Sequence, residues 1–167
     1  MRVLLAVVAL AFGAWLQASP LNALLPVRLD PLLIMVVAWG VGTGMRGGMA
    51  FGLAAGAVQD LLTGGGLLMT LPKLLVGLLA GSLKPLLFYR QAIIIMPLVA
   101  VCTFMQEGMV AGGFALLGKG LMFEHLGSIA PAEALGNFVI AWPLYQLVRW
   151  GLKRTQDRFG LRPETLP

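Results

Sequence analysis

Gly40-Val-Gly-Thr-Gly44-Met-Arg-Gly-Gly48-Met-Ala-Phe-Gly52-Leu-Ala-Ala-Gly56-Ala-Val-Gln59-Asp60 is the stretch that decides the architecture. A glycine returns at every fourth position from Gly40 to Gly56. A step of four keeps to one face of a helix, so Gly52 and Gly56 lay a flat strip along it and Asp60 extends that strip. In a soluble helix glycine is destabilising by roughly 0.5–1 kcal/mol relative to alanine. Helices in lipid use it where two backbones must approach closely. Asp60 is therefore expected to point at another helix. The same spacing places Lys73, Gly77, Gly81 and Lys84 on one face of a later segment, and Thr103, Glu107 and Ala111 on one face of the next. The glycines expected to pack helices together are Gly44, Gly48, Gly52, Gly56, Gly77 and Gly81.

Working outward, the whole chain carries the same signature. Of its 167 residues 59% are apolar and 11% charged, and the mean hydropathy is +0.89; soluble domains run at about 45–50% and 25%. There is too little polar surface here to cover a globule in water. The fold class is thus all-α integral membrane protein, a bundle of about six transmembrane helices. Apolar segments run from Val3 to Leu16, Pro31 to Gly44, Met49 to Leu62, Met69 to Leu87, Ala92 to Leu117 and Ala134 to Trp150. Several fall short of the ~20 residues of a full span and must draw on their flanks. Leu21 to Leu25, between two prolines, is a short dipping or interfacial segment, not a span. Residues 1–150 form the transmembrane domain, and 151–167 a short basic cytoplasmic tail. Cys102 is the only cysteine, so no intrachain disulfide exists.

Orientation follows from the basic residues, which are retained on the cytoplasmic side. With the N-terminus inside, Arg2, Arg46, Lys84, Arg90, Arg149, Lys153, Arg154, Arg158 and Arg162 fall inside, nine of the twelve. Arg28, Lys73 and Lys119 fall outside with most of the acids. Both termini are expected on the cytoplasmic side. The opening Met-Arg and apolar run resembles a signal peptide, but Leu16 and Ala18 do not make a good cleavage pair, so a retained first helix is expected. The net charge of +5 follows from this bias and from contact with membrane lipid. It calls for no nucleic acid.

Depth, at ~1.5 Å per residue, places Asp60, Lys73 and Glu107 in the outer leaflet. A charge there is costly unless paired, hydrated or able to snorkel, so a buried Asp60–Lys73 pair is expected. Glu107 is left protonated, water-exposed or paired from outside the chain. The polar group of Gln59, Asp60, Lys73 and Glu107 either satisfies its own charges and fixes helix register, or forms a polar pocket or a notch for a partner helix. No catalytic set is expected. His125 beside Glu124 lacks further metal ligands, and Ser19, Ser82 and Ser128 have no adjacent general base. Gly64 to Gly66 lack the Lys and Ser or Thr of a phosphate loop. No cofactor or metal is expected.

The order of residues then suggests a family. Gly52-Leu-Ala-Ala-Gly56-Ala-Val-Gln59-Asp60-Leu-Leu-Thr-Gly64-Gly65 resembles the signature of MreD, the small multispanning subunit of the bacterial rod-shape machinery. Leu16-Gln17-Ala-Ser19 and Leu71 to Gly81, with Lys73-Leu-Leu-Val-Gly77, resemble further pieces of it. Asp30-Pro31 stands where the family often has Pro-Asp, and Leu67-Leu68-Met69-Thr70 where it commonly has Leu-Gly-Leu-Asn. Specific resemblance covers roughly residues 16 to 81. It implies a non-enzymatic scaffold that packs against the membrane helix of an MreC-like single-span protein. It also implies a larger complex with RodA, penicillin-binding protein 2, RodZ and MreB that organises peptidoglycan synthases. It further implies a fold similar to the S components of energy-coupling-factor transporters. Hence the alternative function, an S-component-like subunit that binds a small molecule such as a vitamin.

Overall fold

A computed structural model describes residues 2–20, 24, 28–64, 66–85, 91–118, 127 and 129–158. These residues are all-helical. The helices are α1 (Arg2–Ala18), α2 (Pro31–Thr43), α3 (Met45–Thr63), α4 (Thr70–Ser82), α5 (Gln91–Leu116) and α6 (Ala130–Arg158). The boundaries expected from hydropathy hold to within a few residues at most ends. Four differ by four residues or more: α4 ends at Ser82, five before the expected Leu87, and α6 starts at Ala130, four before the expected Ala134. α3 begins at Met45, four residues before the expected Met49, and α6 runs on to Arg158, taking in the first eight residues of the expected tail. The expected dipping segment Leu21–Leu25, Glu124 and His125 of the outer loop, and the tail beyond Arg158 lie outside the described residues, apart from Leu24.

α2 is the axis of the bundle and touches every other helix. All eleven residues from Pro31 to Val41 are buried. A helix apolar on every side has no preferred face, and it is stable only where neighbours surround it. Its start is well marked: Asp30 is the N-cap, accepting a hydrogen bond from the Leu33 N–H at 2.9 Å, and Pro31 follows in the first turn, where its missing N–H costs nothing. Its end is Gly44, whose φ of +90° is a conformation open to glycine. With no intervening loop, the chain reverses there into α3. Trp39 and Phe51 lock the two helices by stacking at 4.8 Å.

Successive helices run antiparallel. Gly13 of α1 lies against Leu32 and Met35 of α2, and Gly151 of α6 against Leu5 of α1. The starts of α1, α3 and α5 and the ends of α2, α4 and α6 thus share one end of the bundle. That end carries Arg46, Lys84, Arg149, Lys153 and Arg154. Among the described residues one helix, Ile94–Leu116, is long and apolar enough to cross a membrane by itself. At thirteen residues each, α2 and α4 are only about 20 Å long.

Candidate functional site: a buried polar network at one end of the bundle

The glycine strip places the site. α3 and α4 meet backbone to backbone. A methyl group added at Gly48 would fall on the carbonyl of Gly77, one at Gly77 on the carbonyl of Gly48, and one at Gly52 on the carbonyl of Lys73. At Gly56 it would meet Thr70, and at Gly81 the Met45 Cα, 2.5 Å away. A methyl group at Gly40 of α2 would meet Gly77, Ala80 and Gly81 from the other side, at 3.0–3.1 Å. Gly48, Gly52, Gly56, Gly77 and Gly81 therefore pack helices as expected. Gly44 joins them at the break between α2 and α3, where a methyl group at Gly81 would meet its carbonyl carbon at 2.6 Å, so the ladder is shared by two helices that converge on α4.

Asp60 points at α4, but it does not pair with Lys73. Its carboxylate accepts the Met69 N–H at 3.0 Å, the Thr70 N–H at 2.9 Å and the Thr70 hydroxyl at 2.5 Å. The correction has a geometric reason. The Lys73 carbonyl lies level with Gly52, eight residues or about 12 Å along α3 from Asp60. Asp60 instead faces the segment just before α4, where Gly64, Gly66 and Leu67 take positive φ and turn the chain back. Backbone groups that no helix serves must find partners in an apolar setting. The carboxylate supplies them.

Lys73 is fully buried and pairs with Asp30, Nζ to Oδ2 at 2.5 Å. Nζ also donates to Gln106 Oε1 at 2.7 Å, and Gln106 Nε2 donates to Asp30 Oδ2 at 2.9 Å. The Asp30 N–H donates to Asn137 Oδ1 at 2.9 Å, and Asn137 Nδ2 donates to Thr103 Oγ1 at 3.1 Å. The network thus joins α4, the N-cap of α2, α5 and α6. Glu107 stands at its edge, 3.4 Å from Gln106 Nε2, and both Glu107 and Asp60 are within electrostatic range of the ammonium. Gln59 stands apart. It is buried, one turn beyond Ala55 on α3, and its side-chain oxygen meets no hydrogen-bond donor among the described residues.

Sequence reasoning brought Asp60 and Lys73 to the correct end of the bundle and missed Asp30, Gln106 and Asn137. The signal for Asp30 was present, since an Asp directly before Pro at a helix start is an N-cap pattern. Gln106 was overshadowed by the charge on Glu107, although it shares a buried stripe with Cys102 and Thr103. Burying a lysine demands a carboxylate and further acceptors, and both are in place. Such a network can bind helices in a fixed register. Compared with known families, curated proteins and solved structures, the chain gives no match.

Proposed function

We propose that this chain is a multi-pass protein of the bacterial cytoplasmic membrane, with six crossings and both termini in the cytoplasm. In this reading it is a non-enzymatic scaffold subunit of the MreD type in the cell-wall elongation complex. The observation that carries the proposal is the run from Gly52 to Asp60. It resembles the family's signature, and in this chain its glycines and its carboxylate are spent on holding α3 to α4. The motif is thus a joint, and the bundle's outward faces are apolar. Val3, Val7 and Trp15 of α1, Val101 of α5, and Leu135 and Val139 of α6 are all more than half exposed, a surface suited to lipid and to a partner's membrane helix. Concentration of basic residues at one end supports the orientation. α2 need not reach ~20 residues where other helices, not lipid, surround it.

The S-component-like alternative draws on the polar network at the outer end. There Lys73, Asp30, Gln106 and Asn137 already satisfy one another, which favours a structural role over a ligand's. Purification of the chain from its native membrane in mild detergent, followed by mass spectrometry, tests the proposal. A single-span MreC-like protein, with RodA, penicillin-binding protein 2, RodZ or MreB, is expected to accompany it. A clean monomer free of elongation components would overturn it, and a stoichiometric small molecule would support the alternative.

A further inference from the structure

We infer that the outer halves of α5 and α6 form a flap, hinged at Pro97 and Pro143 and held shut by the Asp30–Lys73–Gln106–Asn137 network. The inference does not rest on the scaffold reading. The hydrogen bond from Asn137 to Thr103 sets the register of the two helices. Six residues inward of Thr103 on α5 lies Pro97, and six residues inward of Asn137 on α6 lies Pro143. Both prolines therefore stand at one depth, about 9 Å from the network. Each removes a hydrogen bond from its helix, and helices bend where that happens. One such site is a kink, whereas two at the same level of neighbouring antiparallel helices make a hinge line.

The packing on either side of that line differs. Inward of it, Ile95, Leu144, Tyr145 and Val148 belong to the main apolar core with α2. Just outward, Val99, Cys102 and Ala141 still touch that core. Farther out, Val110, Ala111, Ala130 and Ala134 are buried, yet they are not part of it. Across the outer seam the polar contacts are Lys73 and Asp30 to Gln106 and Asp30 to Asn137, while Leu68 leans on Gly113 and Met105 and Ile140 pack at the edge of the core. The opposing block of α2, α3 and α4 is held by backbone contact at its glycines and has no equivalent freedom. A seam closed by directional polar bonds opens as a unit when one member is lost. Gln106 is the member that touches both charges.

Cys102, the chain's only cysteine, is buried one turn inward of Gln106 and reports the opening. The full chain in lipid nanodiscs is treated with N-ethylmaleimide, and labelling of Cys102 is followed by mass spectrometry. Gln106→Ala is expected to raise the rate by about tenfold or more, the effect of leaving buried polar groups unpaired. Adding Pro97→Ala/Pro143→Ala is expected to bring the rate back toward that of the parent chain. As a control, Cys102→Ala/Val36→Cys moves the only thiol into the α2–α4 block, and it is expected to stay protected when Gln106→Ala is added. An unchanged Cys102 rate in Gln106→Ala would overturn the inference. So would equal labelling at the Val36→Cys position, which marks general loosening, or a rate left high after the proline substitutions.

Discussion

Replacing Lys73 with methionine keeps the length of the side chain and removes its charge. Asp30 is left as a carboxylate at the buried start of α2, keeping the Leu33 N–H and Gln106 Nε2 but losing its counter-ion. Breaking one side of a buried pair destabilises by about 3–5 kcal/mol, more than a hundredfold in the ratio of folded to unfolded protein. Asp30→Asn strands the ammonium and is expected to destabilise to a similar degree. The double variant removes both charges, and asparagine still caps α2, so its loss should be only about 1–2 kcal/mol. The pair should therefore show a coupling of at least about 2 kcal/mol in a double-mutant cycle. SDS titration in mixed micelles, followed by the fluorescence of buried Trp39, reads the four stabilities. Losses in the double variant equal to the sum of the single ones would refute the pairing. The corresponding cycle between Asp60 and Lys73 is expected to give less than about 1 kcal/mol, which separates the observed arrangement from the one expected from the sequence.

Gly48→Ala or Gly77→Ala drives a methyl group into a backbone carbonyl and should destabilise by about 2–3 kcal/mol or more, whereas Gly112→Ala meets nothing within 4 Å and should be neutral or slightly stabilising; yield of monodisperse protein on size exclusion checks both. Asp60→Leu leaves three donors at the start of α4 without their acceptor and should cost about 2–3 kcal/mol, with Asp60→Asn milder. Hydrogen exchange should show the Met69 and Thr70 amides losing protection, and unchanged protection would count against the capping role. A phosphatase fused after Pro167 should be inactive and a fluorescent protein at the same point bright, because the basic end is expected in the cytoplasm; an active phosphatase would reverse the orientation.

Much of the fold was legible because its signals are periodic. Apolar runs bounded by charge gave the helices, and the four-residue recurrence of glycine gave the face on which α3 meets α4. What the spacing could not convey was that Gly44 takes a positive φ and ends a helix, since the same residue serves a flat face or a break. For the polar site, depth counting brought Asp60 and Lys73 to the same end, but pairing depends on direction around the axis and on competing donors. The unserved N–H groups before α4 took Asp60, and the N-cap of α2 supplied the partner for Lys73. Uncharged Gln106 and Asn137 carry no signal strong enough to stand out of an apolar run, yet they complete the network.

α2 offers lipid nothing. In the proposed membrane setting, with all residues from Pro31 to Val41 covered by protein and too few residues to cross hydrocarbon alone, it has no stable resting place until its neighbours exist. It is synthesised after α1, but its surroundings are complete only when α5 and α6 close the remaining sides. Between those moments its apolar surface must be sheltered, by the insertion machinery or by another protein. The step of biogenesis most sensitive to damage is therefore the arrival of the α5–α6 hairpin, and mutations in α5 and α6 should be detected as a failure to retain α2.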